Sequence, residues 1–354
     1  MPIAHPPLTH ELRFTQVSSG ARIAWARSGR VGAPVLLRVA HWMTHVDYDL
    51  RSSLWQPLIE QLGRQLEVLR YDERGCGLST ADDVPLGLDA SVEELEAVTT
   101  AHGAKTYALL GVSGGAGAAI AFAARHPERV SQLVLLAGYT HGLIHRSPSP
   151  ETLAFHEAQL RLIELGWGRK DPGVQQMFTS RFMPGGTAEQ FASLNEHQRL
   201  SCDGLRAAAI VRARASQDVR GLAQALRVPV LVLHGEDDLV IPLDLGREMA
   251  KTIPGARFEI LRSRNHIPLS PEPAFERLCQ VIIEFVAQTP PAPHLTPREQ
   301  ELTALVAQGL DNLQIAAQLG VADKTVRNML SALYTKLGVE GRAMAVVKAR
   351  ELGF

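Results

Sequence analysis

Gly111-Val112-Ser113-Gly114-Gly115 places a serine where an apolar run, Thr106 to Ser113, meets the tiny residues Ala116 to Ala119. A serine hydroxyl attacks poorly at neutral pH unless an imidazole takes its proton, and the imidazole needs a carboxylate to fix its tautomer. A sharp strand-to-helix turn meets a further need. Near-absent side chains on either side leave Oγ exposed above a sheet, with the Gly114 N–H and a helix N-terminus aimed where an oxyanion would develop. Both partners occur downstream, each just past an apolar run: Asp237 and Asp238 within Leu231 to Pro242, and His266 within Leu261 to Pro268. The order serine, aspartate, histidine is the one such a triad takes on a doubly wound sheet. The competing reading is a glycine-rich turn that serves tight packing only.

A second group of chemistry-bearing residues lies at the other end of the sequence. Thr296-Pro297-Arg298-Glu299 reads as a capping box with proline at the first helical position, followed by Leu302, Leu305 and Val306 at helical spacing up to Gly309. Asp311 or Asn312 can cap a second helix that ends at Gly320, and Asp323 a third whose apolar face is Val326, Leu330, Leu333 and Leu337. The two helices around Gly320 form a helix-turn-helix. The polar side of the third carries Lys324, Arg327, Asn328, Ser331 and Thr335, types that can enter a major groove. From Lys324 to Arg350 six basic residues (Lys324, Arg327, Lys336, Arg342, Lys348, Arg350) face one acid, Glu340, a local +5. On charge alone a solvated basic face is the simpler reading.

The elements that must position these groups are legible around them. Apolar runs at Pro34 to Ala40, Leu66 to Asp72, Thr106 to Ser113, Val130 to Gly138, Pro229 to Gly235 and Ala256 to Arg262 read as parallel strands buried on both faces. Leu12 to Val17 and Arg22 to Ala26, joined by Ser18-Ser19-Gly20, read as an antiparallel hairpin at the sheet edge, which makes eight strands. Between Gly138 and Val228 the strand spacing breaks. Helical stretches around Glu151 to Leu165, Val174 to Phe182, Ala188 to Leu200 and Leu205 to Leu226 fill the gap, either a mobile lid or an ordinary helical subdomain. Three prolines within Ala287 to His294 predict an extended spacer.

The chain has 354 residues, the length of one large domain plus a small appendage. Its 45% hydrophobic and 21% charged residues exclude wholesale disorder and fibrous repeats. With 36 Lys and Arg against 37 Asp and Glu, no global positive field points to nucleic acid or an anionic membrane, so any DNA contact must be local. Cys76, Cys202 and Cys279 are far apart and without a CxxC pair, which predicts reduced thiols and no disulfide framework. His45, His102, His126, His197 and His234 lack spaced carboxylate or thiol partners, so no metal or cofactor is expected. No apolar run approaches the roughly 18 to 20 residues of a membrane span, and Met1 to Gln16 has no signal-like apolar core. The expectation is a cytoplasmic protein without a membrane partner.

Residues 8 to 286 resemble the α/β-hydrolase superfamily, in particular its lidded, esterase-like and haloperoxidase-like branch. The resemblance implies an α/β fold with a mostly parallel sheet of about eight strands and a helical lid at about 140–227. It places the acid on a G-x-x-D run, which selects Asp238, and the histidine in an H-x-x-x-x-E/P stretch, matched within His266 to Pro273. Asp72 to Ser79 matches the family's D-x-R-G-x-G-x-S bend, whose role is structural, so Arg74 and Cys76 stay outside the chemistry. The family's His-Gly, whose second N–H completes the oxyanion hole with that of Gly114, reads His41-Trp42 here. A backbone donor survives any side chain, so Trp42 keeps that role, and Trp42, Ser113 and His266 are the expected ligand contacts. The indole either narrows the pocket around a flat or apolar ligand or packs under the lid.

Residues 295 to 354 resemble the LuxR/NarL-type helix-turn-helix, matching L-T-P-R-E-x-E, G-x-x-N-x-x-I-A, K-T-V-R-N and K-L-G-V at Leu295 to Glu301, Gly309 to Ala316, Lys324 to Asn328 and Lys336 to Val339. The resemblance implies a small all-α domain with Arg327, Asn328 and Ser331 facing bases and Lys324, Thr325, Lys336 and Arg342 beside phosphates. Ala322, Thr303 and Met329 depart from the usual serine, apolar residue and histidine, with Asp323 expected to substitute as cap. The family commonly dimerises through its last helix, here near Ala343 to Leu352, on a pseudo-palindromic operator with half-sites about one helical turn apart.

The expected layout is a sensory or catalytic domain at 1–286, a linker at 287–294 and a DNA-binding domain at 295–354. The favoured function is a ligand-responsive transcriptional regulator, a homodimer on double-stranded DNA, whose lid closes over a small molecule and biases the module beyond the linker. The alternative is a serine hydrolase for an ester, lactone, thioester or amide whose tail tethers it to DNA or a partner. A third reading gives the helix-turn-helix protein contacts only. The sequence leaves open whether turnover occurs.

Overall fold

The computed structural model describes residues 10–170, 172–287, 295–351 and 354. The chain divides into two compact units, Met1–Ala287 and Gln288–Phe354. Beyond Ala287, which ends a helix, the expected spacer falls on 288–294, outside the described residues.

The larger unit is built on strands β1 (His10–Gln16), β2 (Arg22–Gly29), β3 (Val35–Arg38), β4 (Glu67–Tyr71), β5 (Tyr107–Val112), β6 (Val130–Leu136), β7 (Val230–Gly235) and β8 (Arg257–Leu261). They form one sheet in the order β1-β2-β4-β3-β5-β6-β7-β8. The β1–β2 hairpin runs antiparallel at the edge, β2 pairs antiparallel with β4, and every later pair is parallel. Successive residues point to opposite faces of a strand, so the apolar runs feed two cores. Leu37, Leu109 and Leu135 lie in one with Ile120 and Phe122; Leu36, Leu110 and Val134 lie in the other with Leu278 and Ile282. Each such fully buried aliphatic side chain contributes about 1.5–3 kcal/mol.

Helices α1 (Trp55–Gly63), α2 (Leu88–His102) and α3 (Gly115–Arg125) cover the first half of the sheet. Between β6 and β7 come α4 (Pro150–Gly166), α5 (Gly173–Phe182), α6 (Ala188–Ser201), α7 (Gly204–Ala215) and α8 (Arg220–Ala225), then α9 (Leu243–Thr252) and α10 (Pro273–Ala287). The stretch Leu205 to Leu226, read from sequence as one helix, is two. Its break pairs with the chain leaving β6: Gly142 N–H donates to the Gln217 carbonyl at 2.7 Å and Val219 N–H to that of Thr140 at 2.8 Å. Those bonds replace the helical ones lost there.

The smaller unit has α11 (Pro297–Ala307), α12 (Asn312–Leu319), α13 (Asp323–Leu337) and α14 (Arg342–Glu351). Thr296 and Asp311 close capping boxes with Glu299 and Gln314, and Gly320 ends α12 in the left-handed region at φ 65°. Leu302, Val306, Ile315, Val326, Leu330 and Leu333 make its core. One expectation is corrected. Asp323 does not cap α13; Ala322 holds the cap position with no side-chain bond, and Asp323, already helical, spends its carboxylate on Arg327 instead.

Candidate functional site

The register brings the carboxyl ends of β5, β6, β7 and β8 level, because Val112 pairs with Leu136, Leu136 with Leu233, and Gly235 with Leu261. Ser113, Asp238 and His266 follow β5, β7 and β8 and therefore emerge at one end of the sheet. Ser113 is held at φ +50°, its N–H donating to the Leu136 carbonyl at 2.9 Å. A non-glycine residue there costs about 1–3 kcal/mol and persists only where its surroundings over-determine it. The glycines are those surroundings. A Cβ on Gly111 would stand 2.8 Å from Ala119 Cβ, and one on Gly115 only 2.6 Å from the Ala40 carbonyl oxygen.

The acid–base half is assembled. Asp238 Oδ2 accepts from His266 Nδ1 at 2.7 Å, and Oδ1 accepts from the N–H groups of Val240 (2.7 Å) and Ile241 (3.1 Å). Burial pushes the Asp238 carboxyl up, but His266 and those N–H donors outweigh it and hold its pKa below the ordinary value. Asp237, exposed, plays no part. His266 Nε2 is buried without a partner, and it shares with Ser113 the wall of a cavity of about 30 Å³, roughly one water in size. The Ser113–His266 hydrogen bond that a resting triad predicts is not made.

Neither Trp42 N–H nor Gly114 N–H has an acceptor among the described residues, the state required of oxyanion donors. The Trp42 indole meets Trp167 edge-on at 5.5 Å between centroids and Phe178 and Phe182 at 6.0 and 6.4 Å. The ring packs against α5 and the end of α4, and it lines both cavities that reach Ser113. The Asp72 bend is structural. Its carboxylate accepts from Val46 and Leu78 N–H at 2.8 and 2.9 Å, and burial raises its pKa to about 7. Arg74 is enclosed by Glu94, Glu93 and Asp82.

A larger cavity, about 340 Å³, opens on Ser113 and Gly114 between the sheet end and α4, α5 and α7. Sequence reasoning missed its arginines, Arg146, Arg181 and Arg214. For Arg214 a signal existed: Ala207, Ile210, Val211 and Arg214 fall at i, i+3, i+4 and i+7, one helical face. Arg214 is 7% exposed, and Gly114 makes room for it, since a Cβ there would lie 3.1 Å from Arg214 Cδ. Among the described residues no three His, Cys, Asp or Glu side chains could jointly hold a metal, and no helix is long and apolar enough to cross a membrane.

In the smaller unit α13 exposes Lys324, Thr325, Arg327, Asn328, Ser331 and Lys336. Three of the expected cations are engaged within the unit: Arg327 by Asp323, Lys336 by Glu299 at 2.6 Å and Arg342 by Asn312 at 2.7 Å. Met329 packs partly into the core, so it stands apart from the exposed row.

Residues 50–273 match the family described as the alpha/beta hydrolase fold, and residues 293–349 that described as bacterial regulatory proteins, luxR family. RutD of Caulobacter sp. (strain K31), provisionally named a carbamate hydrolase, is 25% identical over 221 residues, 59% of this chain and 77% of that protein. The spore germination protein GerE of Bacillus subtilis (strain 168) is 44% identical over 61 residues, 17% of this chain and 82% of its own. Among solved structures, a hydrolase from Pseudomonas aeruginosa PA01 superposes with a TM-score of 0.64 at 21% identity, covering 78% of this chain and 99% of that one.

Proposed function

We propose, for a chain that belongs to the alpha/beta hydrolase fold family and carries a luxR-family helix-turn-helix, that it is a transcriptional regulator whose hydrolase-fold unit binds a small molecule and controls DNA binding. The observation that carries this is a strained Ser113 on the wall of a ligand-sized cavity, with His266 of the hydrogen-bonded Asp238–His266 pair sharing a smaller cavity with it, in a chain that also has a DNA-binding module. The target is double-stranded DNA, read as a dimer. Met344 and Val347 on α14, 42% and 51% exposed, supply an apolar patch for that contact.

The site also supports turnover. Ser113 Oγ attacks the carbonyl carbon of a bound ester, lactone, thioester or amide while His266 Nε2 takes its proton. Trp42 and Gly114 N–H groups hold the oxyanion, the leaving group departs with that proton, and water then releases the acyl group from Ser113. A pure binding site has no use for the Ser113 strain or the Asp238 bond, which favours retained hydrolysis as part of sensing. The test is enrichment of a randomised duplex library on the full-length protein, with labelling of Ser113 by a fluorophosphonate run beside it. A two-fold-symmetric consensus and loss of label in Ser113→Ala are expected; no enriched duplex ends the regulator reading, and no label ends the hydrolytic one.

A further inference from the structure

The larger cavity has three arginines in its wall and no aspartate or glutamate. Arg146 gives Nε and Nη2 to the His141 carbonyl at 3.0 and 2.9 Å, and Arg181 gives Nη2 to the Leu239 carbonyl at 2.8 Å. Both acceptors are neutral; Arg146 also lies over the Tyr139 ring at 4.7 Å and within reach of the Glu248 charge, whereas Arg181 has no carboxylate partner among the described residues. Arg214 donates Nη2 to Glu73 Oε1 at 3.0 Å, but its Nε is buried with no partner. A Cβ built on Gly114 would lie 3.4 Å from that Nε, so the orphaned donor stands beside the turn that carries Ser113. Even with Glu73 set against Arg214 and Glu248 against Arg146, the three cations leave the cavity at +1. The remaining wall is mostly apolar, with Trp42, Phe155, Phe178 and Phe182.

We infer that this cavity selects a small molecule with a carboxylate on an apolar body, the carboxylate seated on Arg214 and attracted by Arg146 and Arg181. The inference rests on reading the same cavity as the ligand site and names the class of ligand it takes. A buried cation with an unused N–H is satisfied by an anion that makes a charge-assisted hydrogen bond, whereas a neutral amide supplies the acceptor without the charge. Arg214 belongs to α7 and packs against Gly114 of the nucleophile turn, so an anion seated on Arg214 from the cavity side bears on both α7 and the sheet end.

The test is calorimetric titration of the full-length protein with straight-chain and phenyl-substituted carboxylates, each beside its own amide. At least one carboxylate is expected to bind about tenfold or more tightly than its amide, a gap typical of charge-assisted over neutral hydrogen bonds. Arg214→Gln removes most of the preference. Because that change leaves Glu73 buried without its partner, Arg146→Gln serves as a second variant and narrows the gap as well. Equal affinities throughout, tighter binding of the amides, or binding of neither overturns the inference even where a fluorophosphonate labels Ser113. A carboxylate preference in a protein that takes no label upholds it and removes only the hydrolytic reading.

Discussion

Replacing Ser113 by glycine and, separately, by alanine isolates what the nucleophile turn costs the fold. Both changes delete the hydroxyl, but alanine keeps a Cβ at φ +50° and glycine does not. Holding an L-residue in the left-handed region costs about 1–2 kcal/mol, and glycine gives back about 0.5–1 kcal/mol in extra unfolded-chain entropy. Ser113→Gly should therefore be more stable than Ser113→Ala by about 0.5–1 kcal/mol. With an m-value of about 3 kcal/mol/M, the urea midpoint rises by about 0.2–0.3 M. Intrinsic tryptophan fluorescence suits the measurement, since all four tryptophans (Trp25, Trp42, Trp55 and Trp167) lie in the larger unit and report its unfolding alone. A glycine variant no more stable than the alanine variant would refute the claim that this turn is held under strain for its chemistry.

Asp238→Asn should lower the rate of nitrophenyl ester hydrolysis by about 10⁴, because the amide cannot hold the required imidazole tautomer; a tenfold loss or less contradicts the assigned role. The carboxyl's pKa is depressed in the fold, so the stability it adds is complete above its ordinary value of 3.8 and fades as the pH falls through its folded value. Urea unfolding of the wild type and Asp238→Asn should accordingly converge as the solution is acidified below that point. Gly115→Ala presses a methyl against the Ala40 carbonyl oxygen and should destabilise the larger unit by about 1–3 kcal/mol, read from the urea midpoint. On a selected duplex, Lys336→Ala should weaken binding alike for all sequences and reduce the salt slope by about 1, while Arg327→Ala should relax the preference at one base pair at a cost of about 1–3 kcal/mol. Asp323→Asn, which releases Arg327, should tighten DNA binding about two- to fivefold.

The inner strands β3 to β7 were legible because a strand buried on both faces leaves a continuous apolar run, and β1 and β2 because a turn joins them. The last strand, β8, read as buried on both faces, is an edge strand with Arg257 and Ile260 exposed, though it lies where its run predicted it. The Asp238–His266 pair was legible for a related reason: each residue follows such a run, and the parallel register levels the strand ends. What the sequence hid were features set by tertiary partners. The break between α7 and α8 depends on a backbone pairing with Thr140 to Gly142, which no local pattern announces. Arg214 drew no notice because arginine usually faces solvent, although its helical position was that of the buried face. The cap of α13 was misplaced by one residue, since an aspartate inside the first turn can spend its carboxylate on an arginine one turn on as readily as on a backbone N–H.

Fluorescence anisotropy of a selected duplex, titrated with full-length protein before and after quantitative fluorophosphonate modification of Ser113 and with Ser113→Ala treated alike, bears most directly on the claim that occupancy of the hydrolase cavity governs the DNA-binding module. The expected result is a dissociation constant shifted by about fivefold or more, the lower range of measured site-to-site couplings, in the wild type and unmoved in the variant. Superimposable curves for modified and unmodified wild type would contradict it and leave two independent modules on one chain.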